Sequence, residues 1–169
     1  VYNANDKNIL SLLHHCVARK QIPYGINKNL EKEGDQYFIE IDGEKLKLGT
    51  NLVGDFNYEN AVAVINLLFS CGYLPQKIIA HLNKFTGVKR RQEILAQKNN
   101  ITLIEDFAHH PTSVKKTIEA IKNKYKGRVW ALFEPRSATS RTKIFQDDFT
   151  DSLSVADVVI VYKPFDQSS

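Results

Sequence analysis

Ile101-Thr102-Leu103-Ile104-Glu105-Asp106-Phe107-Ala108-His109-His110-Pro111-Thr112 is the stretch on which the fold turns. Its first four residues are apolar or β-branched and read as a buried strand. Ser113 to Tyr125 follows, with Val114, Ile118 and Ile121 at helical spacing. An acid, two imidazoles and a proline therefore sit where a strand hands over to a helix. In an open α/β sheet that is where ligands collect. The helix start also offers unpaired N–H groups and positive dipole potential to an anion.

Outward from this junction the pattern repeats. A strand is expected at about 92–97, then 101–105, a helix over 112–125, a strand over 128–133, a helix over about 141–153 and a strand over 156–162. Such alternation implies an α/β fold with a mostly parallel, doubly wound, Rossmann-like sheet. Upstream, Asp6 is placed to cap a helix running to about Val17, with Ile9, Leu12, Leu13 and Cys16 on one face. Gln36–Ile41 and Glu44–Leu48 alternate around Asp42-Gly43, a hairpin signal. Gly54-Asp55-Phe56-Asn57-Tyr58-Glu59-Asn60-Ala61 opens an apolar helix to about Cys71, stopped by Gly72. Pro75 starts another helix to Phe85. The polar, glycine-punctuated run Thr86–Glu93 marks a domain boundary.

Composition narrows the class. A hydrophobic share of 43% and a charged share of 25% are those of a globular protein. The net charge of +4 is carried by scattered lysines rather than an arginine-rich stripe, so a nucleic-acid partner is not expected, whereas a nucleotide fits. No apolar run approaches the roughly 20 residues that cross a bilayer, so no membrane partner is expected either. Cys16 and Cys71 lie in apolar helical patterns without C-x-x-C spacing, and are expected to be buried free thiols of a cytoplasmic protein. Both ends of the chain look cut, as in an internal fragment of a longer protein. Oligomeric state is not legible.

Four clusters carry chemistry. Asn57 and Asn60 are three apart on one helix face. Asn57 reads either as an N-cap or, with Asn60, as a carboxamide pair matching the donor and acceptor of adenine. Arg90 and Arg91 read as solvated linker cations or as a forked, permanent charge for terminal phosphates. Asp106 ends a strand, where a carboxylate organises a turn or accepts from ribose hydroxyls. His109 and His110 have three readings: structural, phosphate-binding, or metal-ligating with Asp106 as in a hydrolase. Glu134-Pro135-Arg136-Ser137-Ala138-Thr139-Ser140-Arg141 follows a strand and suits a carboxylate substrate, or is a polar loop with Ser140 or Thr139 as cap. His14, His15 and His81 look like surface or packing residues.

Taken together, G-D-F-N-Y-E-N-A (54–61), G-V-K-R-R-Q-E (87–93), D-F-A-H-H-P-T (106–112) and E-P-R-S-A-T (134–139) resemble the Mur ligase family of ATP-dependent amide-forming enzymes. D-F-A-H-H-P-T with E-P-R-S looks most like the murein peptide ligases, which join UDP-N-acetylmuramate to the recycled tripeptide L-alanyl-γ-D-glutamyl-meso-diaminopimelate. The nearest alternative is the branch that adds L-alanine. Phe56 stands where close relatives usually carry histidine. The resemblance implies the end of a central ATP-binding domain over 1–88 and the first part of a C-terminal Rossmann-like domain over 89–169. It implies Asn57 and Asn60 on adenine, Arg91 and Arg90 on terminal phosphates, and Asp106 on ribose. His109 and His110 would lie near the phosphates or the incoming peptide, and Arg136, Ser137 and Thr139 would bind the peptide's carboxylates. ATP and Mg2+ are the implied cofactors. The phosphate loop G-x-x-x-x-G-K-[ST] is not in this sequence and, with most metal ligands, is expected upstream of Val1. The fragment alone is expected to be inactive.

Overall fold

A computed structural model describes residues 1–163. The chain divides into two compact units, Val1–Thr86 and Gly87–Ser169.

In the first unit β1 (Tyr2–Asn3) pairs in parallel with β2 (Pro23–Tyr24). Asp6 accepts from the N–H groups of Asn8 (2.8 Å) and Ile9 (3.1 Å) and so starts α1 (Lys7–Leu12). This helix is shorter than its apolar spacing predicts. It passes at Leu13 into one 3-10 turn ending at His15, and no residue of either is buried. Cys16 follows that turn, and Cys71 follows the last turn of the next helix; both are exposed. That corrects the expectation of buried thiols. Apolar spacing buries a side chain only where a second element packs on that face, and both cysteines lie past the helical turns whose pattern they extend.

β3 (Leu30–Glu33), β4 (Gln36–Ile41) and β5 (Glu44–Leu48) form an antiparallel meander. Asp42 and Gly43 both take left-handed φ, 53° and 75°, as a two-residue hairpin of matching twist requires. β4 alternates as its sequence predicts, with Tyr37, Ile39 and Ile41 buried. Onto that face α2 (Asp55–Ser70) lays Ala61, Val62 and Ile65, and α3 (Pro75–Leu82) adds Ile78 and Ile79. Leu30, Ile39, Val62 and Ile65 are sealed from solvent. Each contributes about 1.5–3 kcal/mol relative to an exposed side chain. α3 stops at Leu82, short of the expected Phe85.

In the second unit β6 (Glu93–Lys98) and β7 (Ile101–Glu105) pair antiparallel. Asn99 and Asn100 close the loop with φ of 51° and 62°. A two-residue loop permits only an antiparallel return, so this pair is the exception to the parallel pattern. β8 (Trp130–Phe133) and β9 (Val158–Val161) are parallel, with Trp130 opposite Val158. Their crossover is not the single expected helix but α5 (Ala138–Arg141), a 3-10 turn at Lys143–Phe145 and α6 (Gln146–Leu153). α4 (Pro111–Lys124) runs where predicted and packs Val114 and Ile118 with Phe149 and Leu153 of α6, over Ala131 and Phe133 of β8. Asp157 fastens this layer. It accepts from the Val129 N–H (2.7 Å) and from Lys122 Nζ (2.8 Å). The Lys122 ammonium, joined by the Val129 N–H, holds its carboxyl below the usual carboxylate range. Among the described residues no helix is long and apolar enough to cross a membrane.

Candidate functional site

The junction after β7 is built around Asp106. One carboxylate oxygen accepts from the Ala108 N–H (2.7 Å), closing a tight turn, and the other from the Gln92 N–H (2.9 Å). The Phe107 N–H donates to the Arg90 carbonyl at 2.7 Å. Arg90 and Gln92 take left-handed φ of 59° and 50° without being glycine. Such residues are uncommon and persist where surrounding bonds over-determine them. Two further contacts hold Arg90: its N–H donates to Glu93 Oε2 at 2.8 Å, and its Nε lies 3.6 Å from Glu105 Oε1.

The arginine pair is thereby divided. Arg90 is tied back onto Glu105, whereas the Arg91 guanidinium lies over the Phe107 ring, 5.6 Å from its centroid. The His109 ring sits 5.0 Å from that of Phe107. Its Nδ1 is 2.9 Å from the Phe107 carbonyl, which accepts, so the proton resides on Nδ1 and Nε2 is the basic nitrogen of the neutral ring. His110 occupies the position before Pro111 at the start of α4, with its ring edge 5.5 Å from Phe145. Arg91, Asp106, His109 and His110 thus share one junction.

After β8, the Arg136 guanidinium pairs with Glu134 at 2.7 Å and stays exposed. The guanidinium lowers the Glu134 carboxyl below its ordinary range, and the carboxylate raises the arginine. Ser137 Oγ accepts from the Ser140 N–H at 3.1 Å and lies 3.0 Å from Ser140 Oγ, capping α5. The cap is therefore Ser137, not Ser140 or Thr139. Thr139 falls within α5, and its side chain lies outside the described residues.

In the first unit Gly54, at φ 96°, precedes α2, so Asn57 is the third helical residue and not the N-cap. Its Nδ2 donates to the Val53 carbonyl at 2.7 Å. Asn60 is exposed one turn on. The sequence reading missed a neighbouring cluster. Asp55 accepts from the Tyr37 hydroxyl and from Lys32 Nζ (3.1 Å), and Tyr37 stacks on Tyr58 with centroids 3.7 Å apart. Burial pushes the Asp55 carboxyl up, but the hydroxyl and the ammonium outweigh it, and the net shift is downward. Two signals pointed there: an acid in a first helical turn, and the inward parity of Tyr37. A groove of about 600 Å³ lies between α2 and α3, lined by Val64, Leu68, Tyr73, Ile78 and Phe85 among others. None of the candidate site residues lines it.

Residues 90–169 match the family model described as Mur ligase, glutamate ligase domain. Residues 90–169 are a Mur ligase C-terminal domain. Mur ligases are ATP-dependent enzymes that form amide bonds. One relative is the UDP-N-acetylmuramate–L-alanyl-gamma-D-glutamyl-meso-2,6-diaminoheptandioate ligase of Escherichia coli, 34% identical over 81% of this chain and 31% of its own length. Another is the UDP-N-acetylmuramate–L-alanine ligase of Clostridium tetani, 32% identical over 94% of this chain and 36% of its own. The solved UDP-N-acetylmuramate–alanine ligase of Thermotoga maritima superposes with a TM-score of 0.68 at 26% identity, covering 85% of this chain and 34% of that one. The chain thus spans about a third of the length of the Mur ligases it matches. The mixed helices and strands with parallel pairing in the second unit are the fold of the Mur ligase C-terminal domain.

Membership overturns the metal-hydrolase alternative, and the geometry agrees. The Asp106 oxygens go to backbone amides and His109 Nδ1 to a carbonyl. Among the described residues no three His, Cys, Asp or Glu side chains gather as a metal site.

Proposed function

We propose that this chain is part of a cytoplasmic ligase of peptidoglycan recycling that joins UDP-N-acetylmuramate to L-alanyl-γ-D-glutamyl-meso-diaminopimelate at the expense of ATP. In this reading residues 1–88 end the central ATP-binding domain and 89–169 begin the C-terminal, amine-binding domain. The observation that carries the proposal is the clasp between the 90–92 segment and the strand–helix junction, which gathers Arg91, Asp106, His109 and His110.

The chemistry has a simple demand. A carboxylate is a poor acyl donor, because its leaving group would be oxide. ATP supplies a phosphoryl group to the carboxylate oxygen; the amine then attacks the acyl carbon and phosphate departs. Negative charge gathers on phosphoryl and acyl oxygens, where fixed cations act most strongly. Arg91, which rests on Phe107 and pairs with no carboxylate among the described residues, serves the terminal phosphates, with Arg90 behind it. Asp106 keeps acceptor capacity beyond its two amide bonds, since a carboxylate offers about four lone-pair sites, and accepts from the ribose. Asn60 presents its carboxamide to adenine. Asn57, whose NH2 already serves Val53, contributes the carboxamide edge beside it. His109 Nε2 takes the proton of the attacking amine, and His110 lines the path to it. Arg136, oriented by Glu134, grips a carboxylate of the tripeptide. Ser137 and Thr139 are assigned to the same carboxylates.

The described donor set does not fit a protein-built Mg2+ centre, and no step here uses the metal. The alternative amine is L-alanine, favoured by the Clostridium tetani relative that aligns with 94% of the chain. In the intact ligase, Arg136→Ala is expected to raise KM for the tripeptide about tenfold or more, with KM for ATP unchanged. Equal effects on both would remove Arg136 from peptide binding.

A further inference from the structure

An exposed phenylalanine in the middle of a ligand-binding turn needs a reason. Phe107 is 53% exposed, in the turn that follows β7, where a polar residue would cost nothing. Its ring is nonetheless shared: Arg91 lies over it at 5.6 Å and His109 packs against it at 5.0 Å. Its backbone is fixed on both sides, by its N–H on the Arg90 carbonyl and by its carbonyl on His109 Nδ1.

We propose that Phe107 is a positioning residue, an aromatic plate that pre-orders the Arg91 guanidinium as a receptor for a polyphosphate chain, with the His109 imidazole packed against the same ring beside it. The proposal rests on the phosphate role assigned above to Arg91 and adds the device that orders it. An arginine on a linker loses much rotamer freedom when it grips an anion. A face-on ring removes part of that freedom in advance, through the attraction between a cation and the negative face of the ring. The same contact satisfies no hydrogen-bonding group of the guanidinium, so all five donors remain for phosphate oxygens. A carboxylate in place of the ring would order the arginine as well, but would compete with the ligand for those donors. That is the situation of Arg90 beside Glu105.

The test uses the 169-residue chain, isotopically labelled, titrated with inorganic tripolyphosphate and followed by NMR. Without ligand, the Arg91 Nε–Hε resonance is expected to be shifted by the Phe107 ring current, and to return toward its free-peptide position in Phe107→Leu. On titration, Arg91 and His109 signals are expected to move together. Phe107→Leu weakens tripolyphosphate about two- to fivefold, the size of an exposed cation–π contact. Phe107→Tyr, which keeps the ring, restores both the shift and the affinity. Arg91→Ala weakens binding more than Phe107→Leu. If Arg91→Ala weakens tripolyphosphate and Phe107→Leu does not, Phe107 has no positioning role while the phosphate reading stands. If wild type shows no titration at Arg91, or Arg91→Ala changes nothing, the phosphate reading itself fails and the plate fails with it.

Discussion

The carboxylate of Asp106 accepts the backbone N–H of Gln92 at 2.9 Å and so stitches the end of β7 to the segment that carries Arg90 and Arg91. Its other oxygen closes the turn to Ala108. One side chain thereby fixes both the linker arginines and the turn leading to the histidines. Asp106→Ala leaves two amides without their acceptor. It is expected to cost about 1–3 kcal/mol in urea unfolding. A loss below about 0.5 kcal/mol would mean that the clasp is not structural.

Asp157 makes stability depend on pH. Lys122 and the Val129 N–H favour its charged form, so its folded pKa lies below the unfolded value. The stabilisation it gives is therefore full above the ordinary aspartate range and is lost as pH falls through the folded pKa. Wild type is expected to lose melting temperature on acidification more steeply than Asp157→Asn. Parallel curves for the two proteins would show that the carboxylate contributes nothing.

The core of the first unit is expected to be unforgiving. Ile65 is fully sealed between α2 and the meander. Ile65→Ala removes buried methyl groups and leaves a cavity, at a cost of about 2–5 kcal/mol. Denaturant titration followed by far-ultraviolet circular dichroism reads it out. A cost under about 1 kcal/mol would show that this core is loosely packed.

Gly43 tests the hairpin alone. A methyl group there meets nothing within 4 Å, so only its φ of 75° opposes it. Gly43→Ala is expected to cost about 1–2 kcal/mol, the penalty of a left-handed conformation for a side chain. No cost would mean that the turn relaxes to another type.

Much of this fold was legible in the residues. Periodicity located α2, α4, β4 and β8, and Asp42-Gly43 located the hairpin, because each depends on local sequence. The ends of α1, α3 and the helix before β9 were misread, because packing rather than spacing decides where a helix stops. The antiparallel β6–β7 pair hid in Asn99-Asn100, a two-residue loop whose turn chemistry outranks the alternation around it. At the site, the residue types of Arg91, Asp106 and His109 were readable, but their partners were not. That Arg90 is tied to Glu105 while Arg91 rests on Phe107 depends on two left-handed residues that no propensity predicts. The Asp55–Tyr37–Lys32 cluster was missed for the same reason: it joins residues far apart in sequence.

The amine is decided by phosphate release from ATP in the intact ligase, with the UDP-N-acetylmuramate carboxylate as phosphoryl acceptor and acyl donor, and either the tripeptide or L-alanine as nucleophile. Release is expected with L-alanyl-γ-D-glutamyl-meso-diaminopimelate at least tenfold faster than with L-alanine at equal concentration. Faster release with L-alanine would contradict the tripeptide assignment, and no release with either amine would contradict the ligase.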